Sequence, residues 1–368
     1  MSHLTKLPDR THFGLLIVAL LLGALLSTLT EDYLRPKISN LFLQIRGVDH
    51  PVQGSSVLDE EGIPLYFIAS NSQPQRHPVI IAHKALFDYW PTCEANSNEV
   101  ACEPFIKIAD WFVANAVERE GGFVVWEYTY SLPRVSPPWI STLSQSLGLI
   151  VLAHAHQVTG DPVYLEIAQL AVKSFSHDIA DGGVRIKDDN GGWWYEHFAA
   201  PQARPSRTLN AMAYSLHGLW HYYEYSKDPL ARELFEQGMV ALKQHLAEYD
   251  AKVWSYYDAD GTLANPHYHG ANIHSLEALY EITADPLLLE YSQRWQGYAN
   301  SRWAWVQREF TMERPFIVRR FYDTTPQKID WTILLSTTVS VWVLLELGLG
   351  CIRLTKMWLV NGNFEQKK

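Results

Sequence analysis

Two stretches of this chain are apolar almost without interruption, and the sequence between them turns periodic. Residues 13–29 (FGLLIVALLLGALLSTL) carry no charge, and residues 331–352 (WTILLSTTVSVWVLLELGLGCI) carry one acid, Glu346. Each is about long enough to cross ~30 Å of hydrocarbon as a helix. No small-residue cleavage site follows Leu29, so the first run reads as an uncleaved anchor rather than a signal peptide. Between the runs, apolar residues recur at helical spacing. Residues 77–89 and 104–118 form a first amphipathic pair, joined by a polar loop that holds Cys93 and Cys102. Residues 59–68 and 120–138 alternate instead and contain Gly62, Pro64, Gly121 and Gly122, the marks of short hairpins.

From Trp139 one unit recurs three times. Helix 144–157 is followed by Gly160-Asp161-Pro162 and helix 164–175; helix 209–226 by Lys227-Asp228-Pro229 and a helix to about His245; helix 273–282 by Ala284-Asp285-Pro286 and a helix to Tyr298. Each turn puts Asp at the N-cap and Pro at the first helical position. The repetition predicts a mainly α fold: an incomplete α/α toroid of antiparallel helix hairpins with short β-hairpin inserts, flanked by two transmembrane helices. An extended solenoid is the other arrangement such pairs allow; the inserts favour the toroid, where they gather at one mouth. The expected organisation is an anchor (1–30), a linker with short strands (31–76), a toroid (77–305), a linker (306–330), a membrane helix (331–352) and a cytoplasmic tail (353–368).

Charge and composition narrow the partners. A formal net charge of -10 argues against nucleic acid, which needs a basic surface, but leaves room for an anionic sugar held in a local basic pocket. Hydrophobic residues make up 47% of the chain, with 14 Trp and 19 Tyr, enough for a sizeable core and for stacking on sugar rings. Lys6 and Arg10 precede the first apolar run, and Arg353, Lys356, Lys367 and Lys368 follow the second, so both termini read as cytoplasmic with the middle outside. Arg35, Lys37, Arg46, Arg319, Arg320 and Lys328 on the other flanks weaken that bias. Cys93 and Cys102 are placed for a short disulfide, with two free thiols as the alternative. No Cys/His spacing of metal type is present, and no metal or cofactor is expected.

The connections between helix pairs are polar, aromatic and rich in histidine: residues 182–206, residues 254–274, and Pro137-Pro138-Trp139 with Ser141 and Gln145 just beyond. They begin or end at equivalent points of the repeat and should converge at one end. Within them Arg185, Lys187, Arg204 and Arg207 are carboxylate-binder candidates as well as ordinary solvated charges. Trp139, Trp193 and Trp194 are candidate sugar platforms or packing aromatics. Asp188, Asp189 and Asn190 read as a solvated turn more readily than as a cation site.

The ordered motifs DEEGIPL, HPVIIAHKAL, PPWISTLSQSLGL, GGV…WWYEHF, LNAMAYSLHGL, YYDADG, YHGANIHSL and RWQGY run from about residue 55 to 300. Together they resemble the C-terminal catalytic region of the heparan sulfate D-glucuronyl C5-epimerases. The resemblance implies proton removal at C5 of a uronate and its return on the opposite ring face. That chemistry needs two proton-transfer groups and a neutralised carboxylate. By motif it assigns Tyr268 and Tyr257 to the site, with His197 or Glu196 as the partner base. A phenol serving there would need its pKa lowered by neighbouring positive charge. Trp139, Gln145, Tyr195, Arg204, Arg207, Asn210 and His269 are the candidate substrate binders. Family members carry a carboxylate and a tyrosine where this chain has His197 and Phe198, a departure at the centre of the motif.

The expectation is a membrane-anchored, cofactor-independent enzyme that converts D-glucuronate to L-iduronate, or a related epimer, in an extracytoplasmic polysaccharide. A lyase using the same carbanion and a non-catalytic polysaccharide-binding subunit of the cell envelope are the alternatives. A homodimer and membership of an export or biosynthesis complex both stay open.

Overall fold

The computed structural model describes residues 10–29, 56–67, 74–96, 98–132, 134–189, 191–311 and 328–365. The chain divides into two compact units, residues 54–312 and residues 1–53 with 313–368.

The larger unit opens on an antiparallel sheet of β1 (Ser56–Leu58), β2 (Pro64–Tyr66) and β3 (Gln75–Arg76), with Tyr66 opposite both Ser56 and Gln75. His77 then caps α1 (Pro78–His83), which passes through a π-helical turn (Lys84–Tyr89) into α2 (Trp90–Asn96). A disulfide between Cys93 and Cys102, Cα atoms 4.4 Å apart, ties α2 to α3 (Glu99–Ala114). This last helix was expected from Pro104. It starts at Glu99 because Asn98 accepts the Ala101 N–H at 2.9 Å, and Pro104 sits inside. The residue four before it, Val100, is 81% exposed, so water reaches the carbonyl that Pro104 leaves unpaired.

The three repeats follow. The hairpin β4 (Val117–Arg119) and β5 (Phe123–Val125) leads to α4 (Thr142–Thr159) and α5 (Pro162–Ala171). The hairpin β6 (Arg185–Lys187) and β7 (Trp193–Tyr195) leads to α6 (Leu209–Ser226) and α7 (Pro229–His245). A strand-poor insert leads to α8 (Pro266–Thr283), α9 (Pro286–Asn300) and α10 (Arg302–Thr311). Asp161, Asp228 and Asp285 accept the N–H of Val163, Leu230 and Leu287 at 3.0, 2.9 and 3.0 Å. Each cap supplies an acceptor for one of the N–H donors that a helix start leaves unpaired.

Helices α1, α4, α6 and α8 lie side by side in that order, and α5, α7 and α9 back α4, α6 and α8. Gly218 of α6 lets this layer close up, since a Cβ there would lie 2.7 Å from the Ser146 side chain of α4. The Thr142 hydroxyl donates to Ser215 Oγ at 2.8 Å. With Thr142 beside Ser215 and Ser146 beside Gly218, α4 and α6 run in the same direction. Trp126, Trp194, Trp254 and Trp295 fill the core. The helix read from Ile273 begins instead at Pro266, because Asn265 caps it through the Tyr268 N–H at 2.8 Å. Tyr268 and His269 therefore ride on a helix rather than a loop.

In the smaller unit, a helix over Arg10–Leu29 packs against α11 (Lys328–Glu365); the first is called the N-terminal helix below. His12 hydrogen-bonds Glu346 at 2.7 Å, and the Thr337 hydroxyl donates to the Gly23 carbonyl at 2.9 Å. Pairing of 12 with 346 and 23 with 337 makes the two helices antiparallel. A Cβ on Gly23 would lie 2.5 Å from Thr338 Oγ1, so their backbones approach closely there. Among the described residues, Leu335–Ile352 is long and apolar enough to cross a membrane, and Thr11–Ala24 is a shorter apolar helix. Helix α11 runs on through the residues read as a tail, as far as Glu365.

Candidate functional site

Each insert ends at the N-terminus of an inner helix, so the residues at those N-cap positions gather at one mouth. They are His77 for α1, Ser141 for α4, Thr208 for α6 and Asn265 for α8, Thr208 among them making no capping bond through its side chain. Contacts run round the mouth as a circuit. His77 meets Tyr66 edge-on at 4.9 Å between ring centroids and is within electrostatic reach of His197. His197 Nδ1 and Ser141 Oγ are hydrogen-bonded at 2.8 Å. Ser206 Oγ, beside Glu196, lies 3.0 Å from Thr208 Oγ1, and Thr208 bonds the Tyr257 hydroxyl. Tyr257 meets Tyr268 at 4.8 Å, and Tyr268 acts electrostatically on Tyr66, which closes the ring. The long helices α4, α6 and α8 turn their N-terminal ends, where backbone N–H groups favour negative charge, toward this ring.

Burial makes the ring neutral. It lowers His197 to about 4 and, aided by His197, lowers His77 to about 3. It raises Tyr268, and with the neighbouring Tyr268 it raises Tyr257 well above the ordinary range. The sequence reading asked for a phenol lowered by positive charge. Arg134 does act on Tyr257 in that direction, but burial outweighs it, so both phenols hold their protons. Arg134 is 3.2 Å from Asp258 and from Asp260, on the Tyr257 side of the mouth.

Several expected site residues turn out to hold the fold. Glu196, expected as catalytic, is fully buried. Its Oε1 accepts from His197 N, Phe198 N and Ser206 Oγ at 2.9, 3.2 and 2.8 Å, and its Oε2 from Arg207 N at 2.8 Å. With those bonds made, it organises the insert instead of facing the ring. Gln145 is buried between the Trp126 backbone and Ser144. Tyr195 is buried and donates to the Leu234 carbonyl at 2.6 Å. Trp139, only 3% exposed, stacks on Tyr128 at 3.8 Å and meets Phe198 on a tilt, so neither face is open as a platform. His269 uses both ring nitrogens, on Ser255 and on the Trp295 carbonyl, and stacks on Trp254.

The basic candidates are paired as well. Arg204 is 85% exposed and 2.9 Å from Asp260. Arg207, at a left-handed φ of 48°, lies 3.6 Å from Asp188. Arg185 bonds Asp178 at 2.6 Å and covers Trp193, while Lys187 is 3.8 Å from Asp178. Trp194 is buried against Tyr249. Asp188 also pairs with His245, and Asn190 lies outside the described residues. Asn210 is 6% exposed at the start of α6, and its Oδ1 has no hydrogen-bond partner among the described residues. Among those residues no group of three or more His, Cys, Asp or Glu is set to hold a metal ion.

The sequence reading missed His77, Tyr66, Tyr128, Tyr130 and Arg134. Their signals were present but weak: a His directly before the helical Pro78, and the alternating aromatics of FVVWEYTY.

The family described as D-glucuronyl C5-epimerase C-terminus matches residues 120–297. A D-glucuronyl C5-epimerase of Caenorhabditis elegans is 34% identical over 216 residues, 53% of this chain and 35% of that one. The chain thus spans about a third of the worm enzyme's length. An uncharacterised protein of Methanocaldococcus jannaschii is 29% identical over 231 residues, 58% of this chain and 74% of that one. Among solved structures, a D-mannose isomerase aligns with a TM-score of 0.44 at 15% identity, over 66% of this chain and 65% of that one.

Proposed function

Since the chain belongs, through residues 120–297, to the D-glucuronyl C5-epimerase C-terminal family, we propose that it is a carbohydrate epimerase acting at C5 of a uronate in a polysaccharide. The observation that carries this reading is the ring itself, with a neutral His197 on one side and the protonated Tyr257 and Tyr268 on another. Neutral imidazole is a base and a protonated phenol is an acid, so the pair suits proton removal from one face of a sugar and return to the other. His197 Nδ1–H donating to Ser141 Oγ leaves Nε2 to take H5. Tyr268 gives its proton to C5 from the opposite side, with the Tyr257 ring packed against it at 4.8 Å, and the roles exchange in the reverse direction. Arg134 and the N-terminal ends of α4, α6 and α8 hold the carboxylate as charge moves onto it. This scheme calls on no cofactor.

The repeating hairpins are read as an incomplete α/α toroid whose mouth is this ring. The antiparallel N-terminal helix and α11 are read as a two-span anchor that keeps both chain ends on the cytoplasmic side. The catalytic unit is placed outside, where the Cys93–Cys102 disulfide is in keeping with an oxidising compartment. A polysaccharide-binding subunit without catalysis is the second reading, and the observation in its favour is that neither mouth phenol is poised to ionise.

Full-length protein in detergent, incubated in D2O with unsulfated glucuronate-containing oligosaccharides, should incorporate deuterium at C5, followed by NMR, and Tyr268→Phe should abolish it. The ratio of L-ido to D-gluco product, or a new unsaturated end, separates epimerase from lyase. Binding without exchange across several uronate polymers would sink the catalytic reading.

A further inference from the structure

His77 was not among the expected site residues, and it lies outside the family match at 120–297. Its two ring nitrogens have separate surroundings. Nδ1 accepts the Ile80 backbone N–H at 3.3 Å and so caps α1. An accepting Nδ1 carries no proton, so the neutral ring keeps its proton on Nε2. Among the described residues no side chain is hydrogen-bonded to Nε2. Three phenol rings fix the ring plane: Tyr66 and Tyr128 edge-on at 4.9 and 5.0 Å, and Tyr130 at 6.3 Å.

We propose that His77 is a further catalytic residue, whose Nε2–H donates a hydrogen bond to the uronate carboxylate as it becomes an enediolate. This rests on the epimerase reading and adds a neutral donor to Arg134 and the helix ends that hold the carboxylate there. When His197 takes H5, the electron pair left on C5 moves into the carboxylate, and negative charge gathers on its oxygens. A donor fixed in place beforehand stabilises that charge without reorganising, and a neutral imidazole suits the task because it does not hand over its proton. Burial and the neighbouring His197 keep the ring neutral at physiological pH. One nitrogen thus holds the helix while the other donates to the carboxylate, and the three phenol rings keep the imidazole in place.

The double role gives two variants that separate folding from chemistry. His77→Asn keeps an acceptor for the Ile80 N–H but has no donor at the depth of Nε2. His77→Gln keeps a donor near that depth but gives up the cap. Both are measured as full-length protein in detergent, with unsulfated glucuronate oligosaccharides in D2O, alongside thermal denaturation. His77→Asn should melt close to the unmodified protein yet lose about 10²–10³-fold in kcat for C5 exchange with little change in KM, the size of a lost oxyanion donor. His77→Gln should melt lower but exchange faster than His77→Asn. If His77→Asn exchanges at the unmodified rate, or the loss in both variants follows melting temperature alone, His77 is a cap and nothing more. If the unmodified protein shows no exchange with any uronate polymer, the epimerase reading fails and this role fails with it.

Discussion

Ser141 Oγ and His197 Nδ1 are 2.8 Å apart, although 56 positions separate them in the chain. That bond joins the N-cap of α4 to the end of the β6–β7 insert. It orients the ring proposed as base through a residue whose other duty is to start a helix: the same hydroxyl accepts the Leu143 N–H at 3.2 Å.

Ser141→Ala removes both interactions. Loss of the cap should cost about 1 kcal/mol, read by denaturant titration. His197 should lose its fixed orientation, so C5 exchange should fall well beyond what that small stability loss explains. Ser141→Thr keeps the hydroxyl and should restore much of the rate.

Glu196 separates a structural carboxylate from a catalytic one. Glu196→Gln puts an amide donor where an oxygen now faces backbone N–H groups, so at least one buried donor loses its acceptor. The expected cost is about 2–3 kcal/mol, seen as a lower melting temperature. A Glu196→Gln protein as stable as the parent but inactive would reverse the assignment.

Acid should destabilise the larger unit. His77 is lowered to about 3, and His197, His221 and His269 to about 4, in each case mainly by burial. In the unfolded chain these rings titrate near the ordinary ~6.5. Between that value and about 4 the unfolded state binds protons that the folded state refuses, so stability falls as pH falls. Each ring contributes at most about 1.4 kcal/mol per pH unit. Urea midpoints taken from pH 7 to pH 4 should decline steadily; a flat profile would contradict the burial of these rings.

Lys227 and Ala284 end helices α6 and α8 at φ 55° each, where the first repeat has Gly160 at φ 71°. A side chain in that left-handed region costs about 1 kcal/mol that glycine avoids. Ala284→Gly should therefore raise stability by up to about 1 kcal/mol, measured by thermal unfolding, with no effect on C5 exchange.

The amino-acid sequence by itself determined the local features. The three Asp-Pro turns formed where they were read, because a cap needs only a side chain and the next few backbone N–H groups. Cys93 and Cys102 were close enough in the chain to bond. The motif tyrosines Tyr257 and Tyr268 came together across one insert. Tertiary structure alone decided which side chains face the mouth. Glu196 and His197 are neighbours, yet burial turned the carboxylate inward to backbone donors and left the imidazole at Ser141. Trp139, Gln145, Tyr195 and His269 carry the right chemistry, but core contacts consumed it. His77 and Tyr66 entered the ring from far upstream, because α1 packs beside α4. Caps and turns act over a few residues and leave a trace in the sequence. The direction of a side chain depends on what packs against it from distant segments, and no local pattern records that.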